Sequence, residues 1–284
     1  MNSLQHTGKL ILAAAGPGDP ELVTLKTVRW LQKADVVLAD RLVSEAILQE
    51  HVRPGIEIVY VGKQCRRGIS TPQPTINELI VSYARQGKLV VRLKGGDVSI
   101  FSNILDELET AVAHNIPYEI VPGVTAALGA AAYAGIPLTA RGYSTAVRFL
   151  TYYKTDVVSE EYWKELAETN DTLVLYMSSE TLDTVVEKLT QYKIDAGKLM
   201  AVAEQATTPL QNIHTCNIYE YADKLKGKIF LSPSLVTIGK VVSLNQQFAW
   251  LKNSGSNEYY FKPLTAKVTE ITESEKATKH VSRA

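Results

Sequence analysis

A chain of 284 residues suffices for one large or two ordinary domains, and 45 % hydrophobic residues can build a sizeable core. Its 30 basic and 30 acidic side chains cancel, which argues against the basic face that nucleic-acid binding needs and leaves room only for a local basic pocket. No apolar run approaches ~18 residues, so no membrane-spanning helix is expected, and the polar stretch Met1–Lys9 is too short for a signal peptide, so the chain reads as cytoplasmic.

The first predicted strand is the apolar run Leu10–Ala15. It ends in Gly16-Pro17-Gly18-Asp19-Pro20, ahead of a helical pattern over Thr24–Lys33 in which Leu25, Val28 and Leu31 recur on one face. A glycine-rich turn after a first strand is where open α/β sheets hold ligands. It is not the dinucleotide fingerprint, whose third glycine would fall at Glu21. Asp19 also puts a carboxylate where a pyrophosphate would sit, which suits a hydroxyl-rich or cationic ligand better. By itself the loop is equally a tight turn.

Further strands follow, each ending in a glycine or a charged residue. Asp35–Ala39 runs into Asp40-Arg41, Val59–Val61 into Gly62-Lys63, Leu89–Leu93 into Lys94-Gly95-Gly96-Asp97, and Tyr118–Val121 into Pro122-Gly123. Helical patterns over Ser44–His51, Thr75–Gln86 and Ile104–His114 separate them. Such alternation implies an α/β fold with a mostly parallel sheet covered on both faces, and parallel strands would bring all these loops to one edge.

The Ala-rich segment Thr125–Ala134 is expected as a buried helix ended by Gly135-Ile136-Pro137. A second set of strands is predicted at Val147–Thr151, Thr172–Met177, Leu199–Ala203 and Leu235–Ile238, with amphipathic helices such as Glu161–Thr169 and Ser179–Tyr192 between them. The join lies near Pro122-Gly123, giving domains 1–122 and 123–252 and a polar tail 253–284 rich in Ser, Thr, Lys and Glu. Thr272–Ala284 shows no period and is expected to be mobile. Cys65 and Cys216 lie in no C-x-x-C pattern and read as reduced thiols. The five histidines form no ligand-spaced pair, so no metal site is expected.

The segments GPGDPELVTLK, ADVVLADRLVS, VGK, RLKGGD, PGVTAALGAAAYAGIPLT, TLVLYM and, more loosely, SPSLVTIGKVVSL run in order from Gly8 to Leu244. In this set the chain resembles the uroporphyrinogen-III C-methyltransferases of the tetrapyrrole methylase family. The DRLVS and VGK pieces favour that branch over the later precorrin methylases. The resemblance implies two α/β domains with the active site in the cleft between them, and a homodimer. Tyr152-Tyr153 and Tyr259-Tyr260-Phe261 are apolar stretches a partner could cover. The implied reaction moves methyl groups from S-adenosylmethionine, with no metal, to two ring carbons of uroporphyrinogen III. It gives precorrin-2 by way of precorrin-1, towards sirohaem or cobalamin.

The resemblance also distributes roles. Pro17, Gly95, Gly96, Asp97, Ile100, Thr125, Ala126, Met177 and Ala206 fall at positions that line the cofactor, with Ala206 where the family usually has glycine. Asp40 and Lys63 match a proton acceptor and donor. Arg41 and Arg141, with Arg66 and Arg67, are candidates for the substrate carboxylates, which forked guanidinium donors suit. Read singly, each has a plainer reading: the glycines as turns, Met177 as core, Asp40 as a solvated cap, Arg41 as a surface ion pair. Departures fall on the substrate side. Asn103 stands where the family has an arginine, Ala140 replaces a histidine, and Tyr152-Tyr153 replaces Gly-His. These changes keep open a different precorrin methylase or a non-catalytic tetrapyrrole- or cofactor-binding paralogue. A dehydrogenase is disfavoured by Glu21, and an RNA methylase by the neutral charge.

Overall fold

The computed structural model describes residues 8–64, 69–153 and 156–261. Cys65, Arg66, Arg67 and the segment Thr272–Ala284 lie outside the described residues. A first compact unit ends at Val124 and takes in Phe261; a second runs Thr125–Tyr260.

In the first unit, strands β1 (Lys9–Ala14), β2 (Val36–Ala39) and β3 (Glu57–Tyr60) precede a two-stranded ribbon, β4 (Lys63–Gln64) with β5 (Ile69–Ser70). Then come β6 (Leu89–Lys94) and β7 (Tyr118–Val121). Helices α1 (Leu25–Leu31), α2 (Glu45–His51), α3 (Gln73–Arg85) and α4 (Leu105–Ala113) are the crossovers. The main sheet has the order β3-β2-β6-β1-β7, and every pairing in it is parallel. One face buries Ile11, Ala13, Val37, Val91 and Leu93 against α1 and α2. The other buries Leu10, Leu12, Leu38 and Val90 against Ile76 and Ile80 of α3 and Ala111 of α4. This two-sided burial is why β1, β2 and β6 read as near-continuous apolar runs.

Caps join the helices to the loops. The Thr24 hydroxyl accepts from Thr27 N at 3.3 Å, and Ser44 Oγ accepts from Ile47 N at 3.3 Å. Buried Ser44 also donates to Gly18 O at 2.8 Å, tying the start of α2 to the first glycine loop. Ser44→Ala is expected to cost about 1–2 kcal/mol, as lost N-caps do. Urea denaturation checks this.

The second unit contains α5 (Ala126–Tyr133), β8 (Val147–Thr151), α6 (Glu160–Glu168), β9 (Thr172–Tyr176) and α7 (Leu182–Gln191). It continues with β10 (Leu199–Glu204), β11 (Asn212–Asn217), α8 (Tyr221–Lys224), β12 (Ser234–Gly239) and α9 (Asn245–Phe248). Its sheet, β11-β10-β12-β9-β8, is mixed: β8 and β9 are parallel, while β12 runs antiparallel to both β9 and β10. Strand β11 is absent from the expected elements. Its sequence, NIHTCN, has no apolar period, because it is an edge strand with little to bury on its outer side. Helix α5 buries Ala127, Gly129, Ala130 and Ala131, but Leu128 on its other face is 53 % exposed. Met177 does not end a strand; it follows β9 with φ +56°.

Residues 253–260, assigned by sequence to the polar tail, belong instead to the second unit and are hydrogen-bonded within it, as with Ser254 N to Gln211 O at 3.0 Å. Of the aromatics offered as partner-covered surface, Tyr152 packs edge-on against Trp163 at 5.1 Å between centroids, and Phe261 is buried.

Candidate active site

Parallel pairing places the ends of β1, β2, β3, β6 and β7 at one sheet edge, so the loops picked out in the sequence converge there. Gly16 N donates to Gly96 O at 3.1 Å and Gly96 N donates back to Gly16 O at 2.7 Å. This joins the loop holding Pro17 to the Gly95–Asp97 turn. A side chain at Gly95 would meet Leu42 O at 2.8 Å, and one at Gly62 would meet Arg41 N at 2.9 Å. Both contacts are closer than a real Cβ tolerates, so glycine is what lets the Asp40-Arg41-Leu42 segment lie between its neighbours.

Asp97 is buried, and its carboxylate is a clamp. Oδ1 accepts from Ser99 N and Oδ2 from Gly123 N, each at 2.8 Å, which links the β6 loop to the β7 loop. A carboxylate offers roughly four lone-pair sites, so each oxygen keeps capacity for a ligand hydroxyl or amine. Ile100 follows in the same turn, half-buried.

Asp40 belongs to a charged group that the sequence reading did not identify. Its Oδ1 accepts from Arg92 Nη2 at 2.8 Å. Arg92 Nε also donates to Glu107 Oε1 at 2.9 Å, and Lys94 Nζ lies 2.9 Å from Glu107 Oε2. Arg92 Nη1 donates further to Leu38 O at 3.2 Å. The side chains of Glu107, Arg92 and Lys94 are 0 %, 2 % and 3 % exposed, whereas Asp40 is 29 % exposed. Asp40 is therefore the member of this group that reaches solvent, and its rear oxygen is fixed by a buried cation. Burial works to lower the Arg92 pKa, but the carboxylates of Asp40 and Glu107 overcome it and hold the guanidinium above its ordinary value. For Lys94, burial and then the Arg92 charge push the ammonium down despite Glu107. The signal was present in the sequence: Arg92 and Lys94 share one face of an otherwise apolar strand, where paired cations require buried carboxylates.

Lys63 opens β4, its backbone paired with Ser70, and follows the neighbouring strand β3. Its side chain is outside what the structure describes. Asn103, at the arginine position, is exposed with φ +53°, and its Nδ2 donates to Asp106 Oδ2 at 3.0 Å.

In the second unit, Thr125 and Ala126 begin α5 beside the end of β9. The Tyr176 hydroxyl lies 2.7 Å from Thr125 Oγ1 and accepts from Ala127 N at 3.0 Å. Tyr176, which the sequence reading passed over, thus supplies the helix cap that the Thr125 side chain does not make. Met177 follows directly, 44 % exposed, and its sulfur accepts from the Tyr153 hydroxyl. Strands β9 and β10 both pair antiparallel with β12, so the loop after β10 shares this edge. Half-buried Ala206 sits there between two left-handed residues, Gln205 (φ +48°) and Thr207 (φ +66°). Arg141 is exposed in a turn closed by Tyr143 N to Ala140 O at 3.0 Å. The structure thus gathers Pro17, Asp40, Arg41, Gly95, Gly96 and Asp97 at one edge, and Thr125, Ala126, Met177 and Ala206 at the other unit's. Among the described residues no group of three His, Cys, Asp or Glu could hold a metal ion, and no helix is long and apolar enough to cross a membrane.

Comparison with known proteins is consistent across sequence and fold. The profile of the Tetrapyrrole (Corrin/Porphyrin) Methylases matches residues 9–222. A siroheme synthase of Saccharophagus degradans is 42 % identical over 250 residues, which are 88 % of this chain and 54 % of that protein. A siroheme synthase of Acinetobacter baylyi is 46 % identical over 244 residues, 86 % of this chain and 53 % of that protein. The chain therefore spans about half the length of these relatives. Among solved structures, a uroporphyrin-III C-methyl transferase from Thermus thermophilus, complexed with S-adenosyl homocysteine, aligns with a TM-score of 0.69 and 33 % identity, covering 83 % of this chain and 93 % of that one. A cobalt precorrin-4 methyltransferase aligns with a TM-score of 0.73 and 27 % identity, covering 82 % and 95 %.

Proposed function

This chain belongs to the tetrapyrrole (corrin/porphyrin) methylase family, and on that premise we propose that it methylates ring carbons of uroporphyrinogen III, using S-adenosylmethionine, to give precorrin-2. The observation that carries the reading is Asp40, presented at the sheet edge and anchored from behind by Arg92. The donor fits the residues present: glycines 95 and 96 offer backbone without side chains beside buried Pro17, and Asp97 keeps free lone pairs. In this reading Pro17, Gly95, Gly96, Asp97, Ile100, Thr125, Ala126, Met177 and Ala206 are assigned to the donor. When bound, the donor supplies an electrophilic methyl group on a sulfonium.

The residues of the chain do the rest. As a ring carbon gains a methyl, the acceptor becomes cationic, and a fixed carboxylate at that place stabilises the charge without reorganising. Asp40 is such a carboxylate, and it then accepts the proton the ring gives up. Lys63 is assigned the complementary donor. Arg41 and Arg141 are assigned to substrate carboxylates. The same reading takes the chain as cytoplasmic and as a homodimer; an open apolar groove lined by Leu128, Ile136, Leu138, Phe149 and Phe248 is a face that a second copy would cover. Light scattering at micromolar concentration tests that state.

Incubation with S-adenosylmethionine and enzymatically made uroporphyrinogen III, followed by mass spectrometry, should show two added methyl groups. No added methyl group, with S-adenosylhomocysteine still bound, would point to a binding paralogue. Asn103→Arg adds a fine test. A charge-assisted hydrogen bond is worth ~1.5–3 kcal/mol. The left-handed backbone at position 103 offsets ~1–2 kcal/mol of that. The net gain is then at most ~2 kcal/mol, so the KM for uroporphyrinogen III should fall by no more than about thirtyfold. An unchanged KM alongside robust turnover would show that other arginines already hold the substrate.

A further inference from the structure

Three carboxamides fasten residues 253–260 to the segment that follows β10. Gln205 is fully buried; its Nε2 donates to Glu258 O at 2.9 Å and its Oε1 accepts from Tyr260 N at 2.7 Å. Asn212 Nδ2 donates to Ser256 O at 3.1 Å, and its Oδ1 accepts from Gly255 N at 3.0 Å. Asn253 reaches the other way: its Oδ1 accepts from Ile213 N at 2.8 Å and its Nδ2 donates to Ile213 O at 2.9 Å. A side-chain amide carries donor and acceptor side by side, as a strand's backbone does. The three amides therefore pair the segment with the loop and with the free edge of β11, as an added strand would.

The loop held in this way is one that needs holding. Gln205 and Thr207 are both left-handed non-glycine residues, a state that persists where the surroundings over-determine it. Inside the loop, Thr208 Oγ1 donates to Gln205 O at 2.8 Å and Thr207 N donates to Gln211 Oε1 at 2.9 Å. The Gln205 side chain, by contrast, directs both its donor and its acceptor to the backbone of 258–260. Withdrawal of that segment would leave a buried amide without these partners, which is costly.

We infer that residues 253–260 are a strap that positions the loop bearing Ala206, with Gln205 as the positioning residue through which the strap acts on methyl-donor binding. The part concerning the donor rests on the functional reading above; the strap itself rests on the hydrogen bonds. The test compares the full chain with a chain ended after Lys252 and with Gln205→Glu. The glutamate keeps the acceptor for Tyr260 N but sets a carboxylate against Glu258 O. Hydrogen exchange of peptides covering 204–213, S-adenosylhomocysteine affinity by calorimetry, and KM and kcat are measured for each.

The shortened chain should exchange at least tenfold faster over 204–213 with β1 and β6 unchanged, and its Kd for S-adenosylhomocysteine should rise about tenfold, one lost pairing's worth. Gln205→Glu should fall between. The KM for S-adenosylmethionine should rise while kcat at saturating donor holds, a split that general destabilisation does not produce. Unchanged exchange over 204–213 in both variants would overturn the strap. Faster exchange with unchanged affinity would overturn its positioning role. A full chain that binds no S-adenosylhomocysteine would refute the donor reading and the positioning role together, while the exchange comparison would still decide the strap.

Discussion

Glu107→Ala is expected to destabilise the protein by about 3–5 kcal/mol, because it strips the shared carboxylate from two buried cations. Arg92 would retain Asp40, 2.8 Å away, but Lys94 would lose its carboxylate contacts at 2.9 and 3.1 Å in a site 3 % exposed. Urea denaturation monitored by circular dichroism gives the comparison. Glu107→Gln, which keeps the shape and the acceptor but not the charge, should lie between wild type and alanine. A loss below about 1 kcal/mol, the range of surface ion pairs, would mean that water reaches the group and that Arg92 is not a rigid anchor for Asp40. The prediction bears on function because the same guanidinium orients the carboxylate assigned to charge stabilisation and proton transfer. Glu107→Ala should also lower kcat more than it raises the KM for S-adenosylmethionine.

Asp97→Ala should raise the dissociation constant for S-adenosylhomocysteine roughly 10–100-fold, equivalent to ~1.5–3 kcal/mol for a hydrogen bond to a charged group. Calorimetry measures it directly. The reason differs from the one the sequence suggests. As a bare motif residue, Asp97 is a ligand contact. In the folded chain its two oxygens also bind Ser99 N and Gly123 N, so its removal loosens two loops as well as deleting an acceptor. Asp97→Asn separates the two effects. One oxygen remains to accept, while an amide NH₂ would face the other backbone N–H. Affinity close to wild type in Asp97→Asn would assign the residue to loop architecture through a single bond. A loss as large as that of alanine would show that both oxygens are required.

Much of the fold was legible because it is encoded locally. Runs such as Leu10–Ala15 and Leu89–Leu93 are apolar because both faces of a parallel strand are covered, and that pattern survives without knowledge of any partner. Thr24 and Ser44 mark helix starts through bonds to residues three positions on. The glycine loops followed from the same logic: once the strands are parallel, residues as distant as Gly16 and Gly96 must meet at one edge. The order of motifs from Gly8 to Leu244 was enough to indicate the family.

Other features required the folded chain, since they depend on residues far apart in sequence. The Arg92 bond to Asp40 spans 52 positions, and the Tyr176 cap of Thr125 spans 51; no local period encodes either. Strand β11 has little apolar signature because an edge strand is defined by the neighbour it pairs with rather than by its own burial. The polar composition after Asn253 suggests a solvated tail, yet carboxamide hydrogen bonds spanning 40 to 55 positions turn residues 253–260 into paired structure. By itself, the sequence determined most of the core strands and helices, the family and the list of candidate residues, because these rest on short-range periodicity and motif order. Long-range packing and pairing set which carboxylate is anchored, which glycine makes room for a neighbour, and which stretch of polar chain is held.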